Sequence, residues 1–138
     1  MEKLIIDGGI PLSGTITPSG NKNAALPILA ACILTDEPVI LHNVPEIQDV
    51  QNMQKLIMSL GVNFDQIDRH VWKVQAKTVR PTDLDPDLCR KIRASILLAG
   101  PVVARTGELI LPPPGGDVIG RRRVDTHMLA LKKLGTKI

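Results

Sequence analysis

Apolar residues run almost unbroken from Ala24 to Leu34, with Lys22 and Asn23 at the head of the run. A helix that is apolar on every side is a buried one, and the pattern predicts such a helix here. It should end near Thr35-Asp36-Glu37-Pro38, where proline forbids continuation. Pro27 fits as a first-turn proline. Upstream, Leu4-Ile5-Ile6 and Leu12-Ser13-Gly14-Thr15-Ile16-Thr17 read as two short strands around the turn signals Gly8-Gly9 and Pro11. Val39-Ile40-Leu41 reads as a short buried strand. Ile47, Val50, Met53, Leu56, Ile57 and Leu60 then recur at helical spacing, closed by Gly61 as a cap. Val62-Asn63-Phe64 and Val71-Trp72-Lys73-Val74 read as a strand pair.

After the Pro- and Asp-rich stretch from Arg80 to Pro86, Asp85-Pro86 signals a helix start. That helix is expected to run through Arg93 into Ala94–Ala104, with a kink at Pro101. Glu108-Leu109-Ile110-Leu111 reads as a strand. Val124, Met128, Leu131 and Leu134 mark an amphipathic helix ending at Gly135. The order repeats: apolar helix, short strand, amphipathic helix ending in Leu-Gly. The helix ends are offset by 74 residues (135 − 61) and the strands by 70 (109 − 39), so the second copy holds four extra residues (74 − 70). These lie within Pro112–Arg123, and a long loop in a compact domain is usually functional or disordered. The second copy stops before its strand pair, as expected of a piece of something longer.

Lys22 precedes the first apolar helix, where backbone N–H groups and the helix dipole favour an anion. Arg93 stands just before the second apolar run. Two buried helices with cations near their starts suggest a site for a phosphorylated or carboxylated ligand. The 138 residues fit one domain, and 43% hydrophobic content makes it globular. Phe64 and Trp72 are the only aromatics, too few for the stacking platforms of single-stranded nucleic-acid binding. A net charge of +3 favours anionic ligands only weakly. Cys32 and Cys89 fall in apolar or helical stretches and read as reduced thiols. There is no secretory h-region and no apolar run of membrane-spanning length, so a soluble, cytoplasmic protein without membrane partners is expected.

Four blocks carry a resemblance: Ser19-Gly20-Asn21-Lys22-Asn23-Ala24-Ala25-Leu26-Pro27, Arg93-Ala94-Ser95-Ile96, Gly115-Gly116-Asp117-Val118-Ile119-Gly120 and Val124-Asp125-Thr126-His127. In this order they resemble the enolpyruvyl transferases, and the first block resembles the nucleotide-sugar branch more than the shikimate branch. The resemblance implies an α/β (α+β) fold: an inside-out α/β barrel domain of repeated βαβαββ units, incomplete here. It also implies that residues 1–20 are strands belonging to the other domain, and 21–138 the first repeat and part of the second. The implied substrates are phosphoenolpyruvate and UDP-N-acetylglucosamine, joined in the first committed step of peptidoglycan synthesis, with no cofactor and no nucleic acid. The remaining partner would be the rest of the two-domain enzyme, without which this chain is expected to be inactive.

By the same resemblance, Lys22 binds phosphate and Asn23 orients phosphate and sugar hydroxyl. Arg93 and Arg122 meet the nucleotide sugar and phosphoenolpyruvate, because a guanidinium pairs bidentately with phosphate or carboxylate. Arg123, Val124, Asp125 and Thr126 belong to the substrate-binding stretch near the uridine. Arg123 stands where the family usually has proline, and with Arg121 it also reads as a solvated side chain. Asp117 replaces the family's usual cysteine, the residue that reacts with fosfomycin. On a closing loop its carboxyl is expected to act as the acid. Without the other motifs, Lys22 would be a solvated lysine, Asn23 a helix cap, Asp117 a turn residue and Asp125 an N-cap. His127 has no second His or Cys at ligand spacing, so metal is not expected. His42 and His70 read as incidental, and Leu97 stands where relatives often carry an aromatic. Two other readings stay open: a non-catalytic phosphate- or nucleotide-sugar-binding module, and a truncated product without function.

Overall fold

The computed structural model describes residues 3–116 and 123–138. It orders α1 (Lys22–Ala31), a 3₁₀ turn (Cys32–Leu34), β1 (Val39–Leu41), α2 (Gln48–Ser59), β2 (Asn63–Asp68) and β3 (Val71–Gln75). α3 (Pro86–Lys91), a second 3₁₀ segment (Arg93–Leu98), α4 (Ala99–Thr106) and α5 (Asp125–Lys133) follow. The strands form one antiparallel sheet in the order β1-β3-β2, with Leu41 opposite Trp72 and Phe64 opposite Val74. This is a mixed helix-and-sheet fold, as the sequence pattern predicts.

Alternation explains β3, the central strand: Trp72 and Val74 are buried, and Val71, Lys73 and Gln75 between them are half-buried. The Trp72 ring meets Phe64 edge to face, with centroids 6.1 Å apart. Val50, Met53, Leu56 and Ile57 form the buried stripe of α2 and join Leu29, Ile33, Leu98 and Val102 in one core. Gly61 and Gly135 both take positive φ (90° and 97°) just past α2 and α5, matching the two expected caps. Arg105 ties the periphery together, donating to the carbonyls of Ile33 (3.2 Å) and Ala76 (3.0 Å).

Several expectations are corrected. Residues 3–20 form no strand, and Leu4, Ile5, Ile6, Leu12 and Ile16 lie exposed, Leu12 at 98%. A strand satisfies its backbone groups only against a neighbour, and none of the described elements pairs with this segment. α1 is buried on one face, not all round: Leu26, Leu29 and Ala30 face the core, while Ile28 remains 48% exposed. Pro27 sits in the second turn of α1 rather than the first. Having no N–H, it leaves the Asn23 carbonyl without its usual helical donor. β1 is an edge strand with Ile40 outward, so it is half-buried.

The long second helix is divided. Ile92 is extended (φ −134°, ψ 133°), so α3 stops at Lys91 and Pro101 falls in the first turn of α4 without kinking anything. The cause lies downstream in sequence. In a continuous helix the carbonyls of Cys89 and Arg90 would accept from residues four further on. Here they accept from the backbone N–H groups of Gly115 (3.0 Å) and Gly116 (3.1 Å). Buried Ser95 donates its hydroxyl to the Ile92 carbonyl at 3.0 Å, which satisfies the break. Finally, residues 108–111 are not a ladder strand. Among the described residues, one backbone–backbone bond, Ile110 N–H to the Pro81 carbonyl (3.1 Å), ties them to the rest of the fold, while Leu109 and Leu111 lean on the core.

Candidate functional site

Asn21 caps α1, its Oδ1 accepting from the Ala24 N–H at 3.1 Å. The capping duty therefore does not fall to Asn23, and both Lys22 and Asn23 stand in the first turn beside an open hollow. Because the chain breaks at Ile92, Arg93 is the first residue of the following 3₁₀ segment and not part of α3. The two cations thus occupy matching places at the starts of two packed helical segments, α1 and 93–98.

Between them lies a cavity of about 430 Å³ whose lining includes Lys22, Asn23, Asp49, Lys91, Arg93 and His127. Its floor is apolar, from Leu26, Ile92, Ile96 and Leu97. The cations at the rim suit an anion, and the low-polarity floor strengthens their field. Arg93 donates one N–H to the carbonyl of Arg123 at 2.8 Å, which holds the entry to α5 against the cavity. Gly115 and Gly116 anchor the other shoulder of the same loop to Cys89 and Arg90. Asp117 and Arg122 lie outside the described residues.

Of the remaining expected site residues, Arg123 is 68% exposed along its side chain and pairs with Asp125. Val124 takes the cap position of α5, so Asp125 is the first helical residue and not the cap. Asp125 is half-buried, and one of its carboxylate oxygens has no hydrogen-bond partner among the described residues. Thr126 is exposed in the same turn. None of Arg123, Val124, Asp125 and Thr126 lines the cavity that holds Lys22 and Arg93.

Sequence reasoning missed Asp49, Lys91 and His127 as cavity residues. Asp49 Oδ2 accepts from Lys22 Nζ at 2.8 Å, an ion pair whose two side chains are 42% and 39% exposed. Its only signal in the sequence is an acidic residue in the first turn of α2. A pair this exposed contributes about 0–1 kcal/mol to stability. His127 reaches the cavity from the first turn of α5, whose entry is tied to Arg93 through the Arg123 carbonyl.

A larger hollow, about 670 Å³, lies between α4, residues 107–111 and α5. Leu109, Leu111, Leu131 and Ile138 dominate its lining. It lacks the cluster of cations, so size does not make it the site. It runs beside residues 109–111, the counterpart of β1, which has β3 as its neighbour. Among the described residues there is no group of three metal-ligating side chains. No helix there is long and apolar enough to cross a membrane.

Burial pushes the thiols of Cys32 and Cys89 above their ordinary values. At Cys89 the Asp85 carboxylate adds to this, while a Ser95 hydrogen bond and Arg90 oppose it. Both thiols therefore stay protonated and shielded at pH 8. Iodoacetamide should leave both unmodified in the folded chain and alkylate both in urea, as read by mass spectrometry. Rapid labelling of either under native conditions would contradict this placement.

The described residues thus set a cavity lined by Lys22, Lys91 and Arg93 between two helical starts on a mixed helix-and-sheet fold. The chain belongs to the EPSP synthase (3-phosphoshikimate 1-carboxyvinyltransferase) family, whose model matches residues 6–138. Among its relatives is UDP-N-acetylglucosamine 1-carboxyvinyltransferase of Bradyrhizobium diazoefficiens, 59% identical over 134 residues, 97% of this chain and 31% of that protein. The protein of the same name from Treponema denticola is 56% identical over 138 residues, 100% of this chain and 32% of the relative. The crystal structure of the enolpyruvyl transferase NikO from Streptomyces tendae superimposes with a TM-score of 0.60 at 29% identity, covering 72% of this chain and 23% of that one. The chain thus spans about a third of the length of the relatives it matches.

Proposed function

We propose that this chain contributes half of the active site of a cytoplasmic UDP-N-acetylglucosamine enolpyruvyl transferase of peptidoglycan synthesis. In the complete enzyme the sugar 3-hydroxyl gives up its proton to a base as its oxygen bonds to C2 of phosphoenolpyruvate, and an acid delivers a proton to C3. The tetrahedral adduct then loses the C3 proton and breaks its C2–O bond to phosphate, giving the enolpyruvyl ether and inorganic phosphate. Lys22 and Arg93 neutralise the phosphate and carboxylate charge, and Asn23 orients the attacking hydroxyl. Arg122 adds a further cation, Asp117 supplies the acid, and Arg123, Val124, Asp125 and Thr126 bind the nucleotide. Residues 1–20 join the second domain, and 21–138 belong to an inside-out α/β barrel of repeated units. The observation that carries this reading is the meeting of Lys22, Asn23 and Arg93 on one cavity.

The test is phosphate release from phosphoenolpyruvate, dependent on the nucleotide sugar, by the chain extended to the length of its relatives. The 138-residue chain alone should show negligible turnover, since it spans about a third of the length of the relatives it matches. Product from the short chain, or none from the complete one, would overturn the proposal. With a carboxylate at position 117 the complete enzyme should resist fosfomycin, and Asp117→Cys should make it sensitive. Rapid inactivation of the unsubstituted enzyme would refute the role given to Asp117.

A further inference from the structure

Asp49 is out of place in an anion site. It is the one carboxylate among the described residues lining the cavity, and it shares the sign of the ligand. Its bond to Lys22 spans 27 residues of sequence and joins the first turn of α1 to the first turn of α2. The pair is half-exposed, so stability alone is a weak reason for it. An ammonium carries three N–H donors on a flexible stem, and an unrestrained lysine spreads over many rotamers. The short contact to Asp49 commits one donor and so restrains where the ammonium sits. Asp49 stands in the first turn of α2, where the helix dipole favours negative charge.

We propose that Asp49 is the positioning residue of Lys22: from the first turn of α2 it aims the ammonium into the cavity. This rests on the transferase reading above. The carboxylate also repels the incoming anion, so it has two separable consequences. Aim serves the reaction, where misdirection is costly. Repulsion weakens ground-state binding. Removing the charge should therefore lower turnover without weakening phosphate affinity, a split that simple loss of structure does not give.

The experiment compares the natural chain with Asp49→Asn and Asp49→Glu. In the complete enzyme, Asp49→Asn should lower kcat tenfold or more with KM for phosphoenolpyruvate unchanged or reduced, and Asp49→Glu should restore much of kcat. In a Lys22→Met background, Asp49→Asn should add nothing. Inorganic phosphate, titrated against the 138-residue chain and followed at the backbone amides of Asn23 and Ala24, should bind Asp49→Asn at least as tightly as the natural chain. Wild-type kcat in Asp49→Asn would overturn the proposal, as would weakened phosphate binding with a lowered Tm. If the complete natural enzyme makes no product, the transferase reading fails. The phosphate titration then still decides whether Asp49 opposes anion binding at Lys22.

Discussion

Lys22→Met should lower kcat/KM for phosphoenolpyruvate by about 10²–10³ in the complete enzyme, the usual cost of losing one preorganised charge-stabilising donor. Methionine keeps the unbranched stem and removes the charge, so the change isolates electrostatics from packing. The fold should be nearly indifferent. Among the described residues the half-exposed pair with Asp49 is lost, and water can solvate the orphaned carboxylate. Urea unfolding of the 138-residue chain should accordingly shift by less than about 1 kcal/mol. Phosphate release under steady state reads the first effect. A loss below about fivefold would remove Lys22 from the reacting centre, because a preorganised charge at the departing phosphate is worth more. A large loss of stability would instead mean that the pair holds α1 against α2.

What the sequence disclosed depends on how local each cause is. α2 and the β2–β3 hairpin were legible because period, turn and cap all lie within a few residues of the element they define. The start of α3 was legible for the same reason: Asp85 accepts from the N–H groups of Asp87 (2.7 Å) and Leu88 (3.3 Å), with Pro86 in the first helical position. The end of α3 was not. No residue between Asp85 and Ala104 signals a break at Ile92, since what diverts the helix is a pair of N–H groups at Gly115 and Gly116. The apolar run 24–34 misled in the other direction. Hydrophobicity all round implies full burial, but only one face of α1 finds neighbours among the described residues.

The site divides along the same line. Lys22 and Arg93 were readable as cations at the heads of apolar runs, and the chain does bring them to one cavity. Their equivalence was understated, because Arg93 was expected inside a helix and instead opens a new segment. Asp49, Lys91 and His127 join them only through tertiary packing, which no spacing in the sequence encodes. Arg123 through Thr126 illustrate the reverse case: a strong motif places them at the start of α5, yet they contribute nothing to the lining of this cavity.

Gly115→Ala tests whether that diverted helix end controls the site. A Cβ at position 115 would lie 1.7 Å from the Arg90 carbonyl oxygen and 2.4 Å from its carbon. Both neighbours are backbone, so no side chain can swing aside to relieve the contact. The loop shoulder must lift, and the bonds from Gly115 to Cys89 and from Gly116 to Arg90 break together. Two lost backbone bonds at about 1 kcal/mol each put the destabilisation near 2 kcal/mol. The effect on catalysis should be larger. The shoulder fixes where α3 stops, hence where Arg93 begins its segment. A displacement of about 1 Å at a charge-binding group costs on the order of 10²-fold in rate. Hydrogen exchange separates local from global failure. The Gly116 amide should lose its protection in Gly115→Ala while the core amides of Leu29 and Val102 keep theirs. Uniform loss of protection would mean that the variant simply unfolds. Retained protection at Gly116 with normal turnover would show that the loop shoulder does not set the position of Arg93.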